Sequence, residues 1–491
     1  LIRKILDNDV QIFFSFMIVC VFIGTIIQWL GLPSIDHDEL EAVRWGATKS
    51  WFVDKHPPLV GFVAYNWAKL TLFSNFAFFA LSKLNALIAL FVIYRLNKIF
   101  LSTQLAIIST ASYASTYAYI VLMSQLDANG ILHLLWPLFA LLLWKSITDN
   151  RYQDWILLGA TASLSVLGKY QSAMIILTAL VMILSIKSFR KHLYNFKLFV
   201  SLAVFILLLL PHYLAYLKTD YSMSEYILES SQQNSLFYGR WSIIKFSFVQ
   251  SLTGLFGFYI LIWNIRQNIF FPNLKHQDNK TYFLFFMAIV LPAAPIIFSL
   301  ISGVSILGSW GLTSWFLFPT FLLYIFRNSK QNLSLKPYMI FLPVYLVIMG
   351  SIVILNNFYP VARPTSIPKA MQEIELQWSN RIESSIDTVI TNSRPAQGMV
   401  FYTESKPQII NSNNPESFSW ILNQNKCTNG PTLIIAELNE KGHKFLKNMR
   451  QRFGKPSFFE LINAKSSRHK ITLTNPLQFQ VLMYNKSVCF D

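Results

Sequence analysis

Apolar runs long enough to cross a bilayer recur from residue 12 to residue 357. Nothing else in the sequence limits the fold as strongly. A spanning helix needs about 20 apolar residues, and in lipid the backbone must satisfy its own hydrogen bonds. Eleven candidate spans follow, at 11–30, 80–100, 104–123, 129–146, 154–168, 170–187, 197–216, 241–265, 281–301, 310–326 and 337–357. Only 13% of the residues are charged, against roughly a quarter in soluble domains. The run at 11–30 is longer than the apolar core of a signal peptide and has no small-residue cleavage site, so it reads as the first span.

The formal charge is +17. In a soluble chain that would suggest nucleic acid. Here the cations fall in short loops, where they set orientation and meet membrane lipids, so nucleic acid is not an expected partner. With the N-terminus cytoplasmic, Arg95, Lys98, Lys145, Arg151, Lys187, Arg190, Lys191, Lys197, Arg266, Lys275, Lys280, Arg327, Lys330 and Lys336 share the cytoplasmic side. The opposite loops near 124–128 and 302–309 carry no Lys or Arg. This is the positive-inside pattern. It puts the loop 31–79, a polar loop near 217–240 and the tail 358–491 on the outer side.

The expected fold is an α-helical polytopic membrane domain, 1–357, followed by a soluble α/β domain, 358–491. In the tail, 369–390 reads as a helix, GMVFYTES and PTLIIAEL as strands, ELNEKGHKFLKNMRQRF as a helix and QFQVLMYNK as a strand. Within the loop 31–79, GFVAYNWAKLTLF suits a helix lying in the interface. Of three cysteines, Cys20 lies in an apolar run and packs. Cys427 and Cys489 can pair in an oxidising compartment or stand as free thiols, and the sequence leaves both open.

Four outer-side clusters can carry chemistry. In Asp36-His37-Asp38-Glu39, Asp36 and Glu39 fit a capping box, which leaves Asp38 without a structural task and available as a general base. In Asp54-Lys55-His56-Pro57-Pro58, Lys55 and His56 sit beside a rigid turn and suit a lipid phosphate, although Lys55 can also simply snorkel. Asp127, at the end of the third span, either caps the next helix or binds substrate. Gly168-Lys169-Tyr170 places a cation in an otherwise non-basic outer turn, where a phosphate partner or snorkelling would account for it. Lys83 and Arg240 are weaker outer-side cations. No cysteine, histidine or acid cluster has metal-ligand spacing, and no cofactor is called for.

DHDELEAVRWGATKSWFVDKHPPLVGF, SKLNALIALFVIYRLNKIF, QLDANGILHLLWPLF and WILLGATASLSVLGKYQSAMIIL resemble, in this order, segments of the bacterial protein-mannosyltransferase-like glycosyltransferases of GT-C architecture. These are relatives of the aminoarabinose transferases that modify lipid A. Asp38 and His56 match in spacing; Asn129 stands where proline is usual, Lys83 where arginine is usual, and the basic residue expected before Trp310 is missing. The resemblance implies inverting transfer of a sugar from a polyprenyl-phosphate carrier, undecaprenyl in a bacterium, at the periplasmic face of the inner membrane. The acceptor would be lipid A, another envelope glycan or a protein. Asp38 would be the base and Glu39 would orient it or the acceptor. His56, Lys55, Lys169, Lys83 and Arg240 would hold the phosphate, with Tyr170 in the same turn, and Asp127 would bind sugar or acceptor. A lipid-linked sugar transporter or flippase is the alternative; it calls for repeat symmetry and broken helices, and the sequence shows neither. A non-catalytic membrane scaffold would leave the acidic loop unexplained.

Overall fold

The computed structural model describes residues 2–53, 56–219, 236–254, 256–266, 278–326, 333–358, 367–411, 422, 426–464 and 477–490. Helices dominate the first 358 residues. α1 spans Ile2–Gly31, α2 His37–Ala47, α3 Leu59–Leu70, α4 Asn75–Phe100, α5 Thr103–Ala114, α6 Tyr117–Ser124, α7 Ala128–Thr148 and α8 Tyr152–Gly168. Further helices cover Ala173–Ser185, Phe196–Tyr216, Leu236–Thr253, Gly257–Arg266, Leu291–Ser302, Phe318–Ile325 and Lys336–Phe358. Short polar side chains start many of them: Ser74, Ser102, Thr116, Asp127 and Asn195 each accept a backbone N–H of the first turn.

Among the described residues, five helices are long and apolar enough to cross a membrane, or up to eight if each bent pair counts as one span. The chain is a multi-pass membrane protein. The expected span 104–123 breaks into α5 and α6 with a 65° bend, because Thr116 takes the backbone for itself: its hydroxyl donates to Tyr113 O and accepts from Tyr119 N. The expected span at 241–265 is also two helices, bent by 70°, and the helix ending at Ser185 turns by 104° into 187–194. Broken helices are therefore present, contrary to the reading of the sequence. The expected span 310–326 opens as a 3-10 run over Gly308–Leu317 before becoming α-helical at Phe318. Large apolar side chains such as Ile18, Phe22, Leu207 and Val347 stay exposed, as lipid-facing groups do. Inside, Asn97, Ser109, Thr110 and Thr320 form a closed hydrogen-bond network across three helices.

The outer loop forms a helical layer. α2 and α3 cross where Gly46 faces Gly61; a Cβ on Gly61 would sit 2.9 Å from Gly46 N, so only glycine permits this approach. α3 is the helix expected in GFVAYNWAKLTLF, and its Trp67 indole donates to Ala77 O at the start of α4.

The tail holds a five-stranded sheet in the order β2-β1-β3-β5-β4. β1 is Thr388–Thr391, β2 Gln408–Asn411, β3 Thr432–Glu437, β4 Phe458–Ala464 and β5 Leu477–Tyr484. β1 runs parallel to β2 and β3, and β5 antiparallel to β3 and β4. Alternation along the strands makes two apolar faces. One packs on helix Glu440–Phe453 through Phe445, Leu446 and Met449. The other packs on helix Ile367–Ser379 and shares a core with the membrane domain. PTLIIAEL, QFQVLMYNK and the second helix are found as expected. The helix expected over 369–390 ends at Ser379, and its last residues become β1. GMVFYTES is not a strand: Pro395–Gly398 is a 3-10 turn and Met399–Tyr402 a helical turn. Phe401 there packs edge-on against Phe73 and Phe78, so contacts with the membrane domain override local strand propensity. Cys427 and Cys489 are disulfide-bonded.

Candidate active site

One polar end of the helical bundle is assembled from segments far apart in sequence. α2 starts there because Asp36 caps it. Asp36 Oδ1 accepts from Asp38 N at 3.1 Å, and Glu39 Oε2 accepts from Asp36 N at 2.9 Å, which completes the expected capping box. Asp38 stays exposed on the first turn.

Glu39 does more than cap. It is fully buried, and its second oxygen accepts from Leu126 N at 2.9 Å, tying α2 to the loop between α6 and α7. Burial pushes this carboxyl up to about 7, against the pull of the two backbone N–H groups. On the same loop, Gln28 Nε2 in α1 donates to Ser124 O at 3.0 Å, while Lys83 in α4 donates to Gln28 Oε1. The Lys83 charge also acts on Glu39.

Asp127 is the N-cap of α7. Its Oδ1 accepts from Asn129 N at 2.9 Å and Gly130 N at 2.6 Å; its Oδ2 accepts from the Gln125 and Asn129 amides, each at 3.2 Å. Of the two roles the sequence left open, the cap is the one visible in these contacts. Gly130 is required for it, since a Cβ would stand 2.7 Å from Gln125 O. The cap leaves Asn129 Oδ1 free to accept from Lys169 Nζ at 2.6 Å. Lys169 ends α8 and is buried; burial pushes its ammonium down to about 8, partly offset by the charges of Asp127 and Asp38. Lys169 is therefore a buried cation held by an amide oxygen, with the charges of Asp127 and Asp38 favouring its ionised form.

Tyr170, next in the turn, lies with its hydroxyl 2.9 Å from Nε2 of His212, whose Nδ1 is 2.6 Å from Trp51 O. A neutral imidazole donating to that carbonyl accepts the Tyr170 hydroxyl. His56 is half-buried with its ring edge-on to Trp45, 5.5 Å between centroids. Lys55 and the side chain of Arg240 lie outside the described residues. The loop at Trp310 is adjacent, with Gln171 donating to Trp310 O. Among the described residues, no three of His, Cys, Asp and Glu meet in a way that could hold a metal.

Asp38, Glu39, Lys83, Asp127, Lys169 and Tyr170 thus gather at one end of the bundle, beneath the tail. Tyr402 makes the join: its hydroxyl accepts from Ile35 N at 2.9 Å and donates to Asn75 Oδ1 at 3.1 Å. Gln28, Asn129, His212 and Tyr402 were not singled out from the sequence. Gln28 and His212 had a signal, each being a polar group inside an apolar run.

The multi-pass bundle thus carries paired acids and two buried cations, Lys83 and Lys169, at one end. Residues 55–214 match the family model described as dolichyl-phosphate-mannose-protein mannosyltransferase. The whole fold is similar to that of ArnT from Cupriavidus metallidurans in its complex with undecaprenyl phosphate: TM-score 0.50, 10% identity, covering 97% of this chain and 98% of that one. The apo-state structure of the same protein scores 0.48 at the same identity and coverage. No curated protein sequence matches the chain. The family match over 55–214 and the ArnT-like fold are what this chain shares with known glycosyltransferases.

Proposed function

We propose that the protein moves a monosaccharide from an undecaprenyl-phosphate-type carrier to a cell-envelope acceptor at the periplasmic face of the bacterial inner membrane. The observation that carries this reading is buried Lys169, held on Asn129 Oδ1 at 2.6 Å at the end of the bundle where Asp38 is exposed, in a fold similar to one that holds undecaprenyl phosphate. Asp38 takes the proton of an acceptor hydroxyl. The acceptor oxygen bonds to the anomeric carbon from the face opposite the carrier, and the bond from that carbon to the phosphate oxygen breaks. The bonding pair leaves with the phosphate, and the anomeric configuration inverts. Lys169, with His56 and Lys55, meets the charge that develops on the leaving oxygen, where preorganised cations contribute most. Glu39 and Asp127 act by holding the loops that carry these groups. Residues 1–357 are the transferase domain with 31–79 as its catalytic loop, and 358–491 is a periplasmic domain that covers the site; a reporter active only in the cytoplasm, fused after Asp491, should be silent.

The test is transfer from an undecaprenyl-phosphate sugar by the purified protein. Asp38→Asn keeps size and removes basicity, so transfer should drop by about 10²–10⁴-fold. Asp36→Asn serves as the control. An inactive Asp36 variant beside an active Asp38 variant would put the base elsewhere. Wild-type protein that moves the donor across a vesicle membrane without transferring the sugar would favour the transporter, which the bent spans also suit.

A further inference from the structure

One end of the bundle contains a chain of largely buried contacts that clamps the loop before Asp127. Lys83 in α4 donates to Gln28 Oε1 in α1. Gln28 Nε2 donates to Ser124 O. Two residues on, Leu126 N donates to Glu39 Oε1 in α2. The Lys83 charge also favours the ionised form of Glu39. Four separate parts of the sequence meet in these contacts, and the segment they clamp is 124–126, immediately before Asp127. That segment sets where Asp127 caps α7, hence where Asn129 stands, hence where Lys169 Nζ is held.

Gln28 is the member with no replacement. An amide accepts and donates at once; here it accepts from an ammonium and donates to a backbone carbonyl. Leucine could do neither, and a carboxylate could only accept. Gln28 sits in the last turn of the first span between Ile26-Ile27 and Trp29-Leu30, where a polar group is costly unless used.

We infer that Gln28 is a positioning residue for the donor phosphate: through Ser124 it fixes the loop that places Asn129 and Lys169. This rests on the transferase reading above. The result that separates positioning from mere support is a split between KM and kcat. Gln28→Leu should raise the donor KM, and the Kd for undecaprenyl phosphate, by roughly tenfold, the size expected when a hydrogen bond that orients a charged group is lost. Its kcat should fall by less than its KM rises, because Lys169 keeps its charge and Asp38 stands on α2, capped by Asp36. Gln28→Glu keeps a partner for Lys83 and guards against misfolding; lacking the donor to Ser124 O, it should show the same KM rise. The double variant Gln28→Leu/Asn129→Ala should bind no worse than Asn129→Ala, since both act on Lys169 through one path. An unchanged donor KM in the Gln28 variants, a fall confined to kcat, or multiplicative losses in the double variant would each overturn the inference while leaving the transferase reading standing. Wild-type protein that neither binds undecaprenyl phosphate nor transfers sugar would remove both.

Discussion

The polar end of the helical bundle and the tail are held together in different ways. The membrane end relies on hydrogen bonds and buried charges between segments far apart: Gln28 reaches 96 residues to Ser124, and Glu39 reaches 87 to Leu126. The tail relies on a sheet with an apolar layer on each face and one disulfide. Polar groups are costly in lipid and persist where they are used; in the tail they are cheap and carry little information. The difference decides what each region loses when a contact is cut.

The largest expected effect lies in the tail. Cys427→Ser opens a link between residues 62 apart and should remove roughly 4 kcal/mol of tail stability on a chain-entropy account. Faster proteolysis of 367–490 with unchanged undecaprenyl phosphate binding would support two separately stabilised regions. Loss of binding in that variant would join them.

Lys169 is the converse case. Lys169→Ala should weaken undecaprenyl phosphate binding by roughly 10–100-fold, the range for hydrogen bonds to charged groups, and leave tail proteolysis unchanged. The pH dependence has a definite sign. Burial holds the folded-state pKa at about 8, below that of an ordinary exposed lysine, so the cation is present below about 8 and lost above it. Donor binding to the free protein should therefore fall as pH rises through about 8. Lys169→Arg, which keeps its charge, should carry binding past that limb. A flat profile in wild type would mean that Lys169 does not meet the phosphate.

The smallest effect belongs to the join. Tyr402→Phe removes two hydrogen bonds between tail and membrane domain, worth about 1–2 kcal/mol together. Hydrogen exchange should rise at Ile35 and across 399–402, with transfer reduced only severalfold. Unchanged exchange there would mean that Phe401 alone makes the contact.

The same contrast explains what could be read in advance. Charges beside apolar runs stand out, so Asp38, Glu39, Lys83, Asp127 and Lys169 could be named as candidates from the sequence. Their division of labour could not. Glu39 reads as a cap, but the Leu126 N–H on its second oxygen does not show in the sequence, nor do the four donors around Asp127. These partners come from the fold and leave no local signal. In the tail, PTLIIAEL reads correctly because five of its six strand residues are buried in the middle of the sheet. GMVFYTES has similar local character and fails because Phe401 is taken by Phe73 and Phe78. β2 and β4 were missed: β2 is four residues long, and β4 is an edge strand with Phe459 and Leu461 left outside.

The central claim is that the buried cation beside Asp38 receives a polyprenyl phosphate. Native mass spectrometry of the purified full-length protein with added undecaprenyl phosphate tests it most directly. The account predicts one lipid phosphate retained by wild type and by Asp38→Asn, and little retained by Lys169→Ala at the same lipid concentration. Equal retention by all three, or none by wild type, would contradict it.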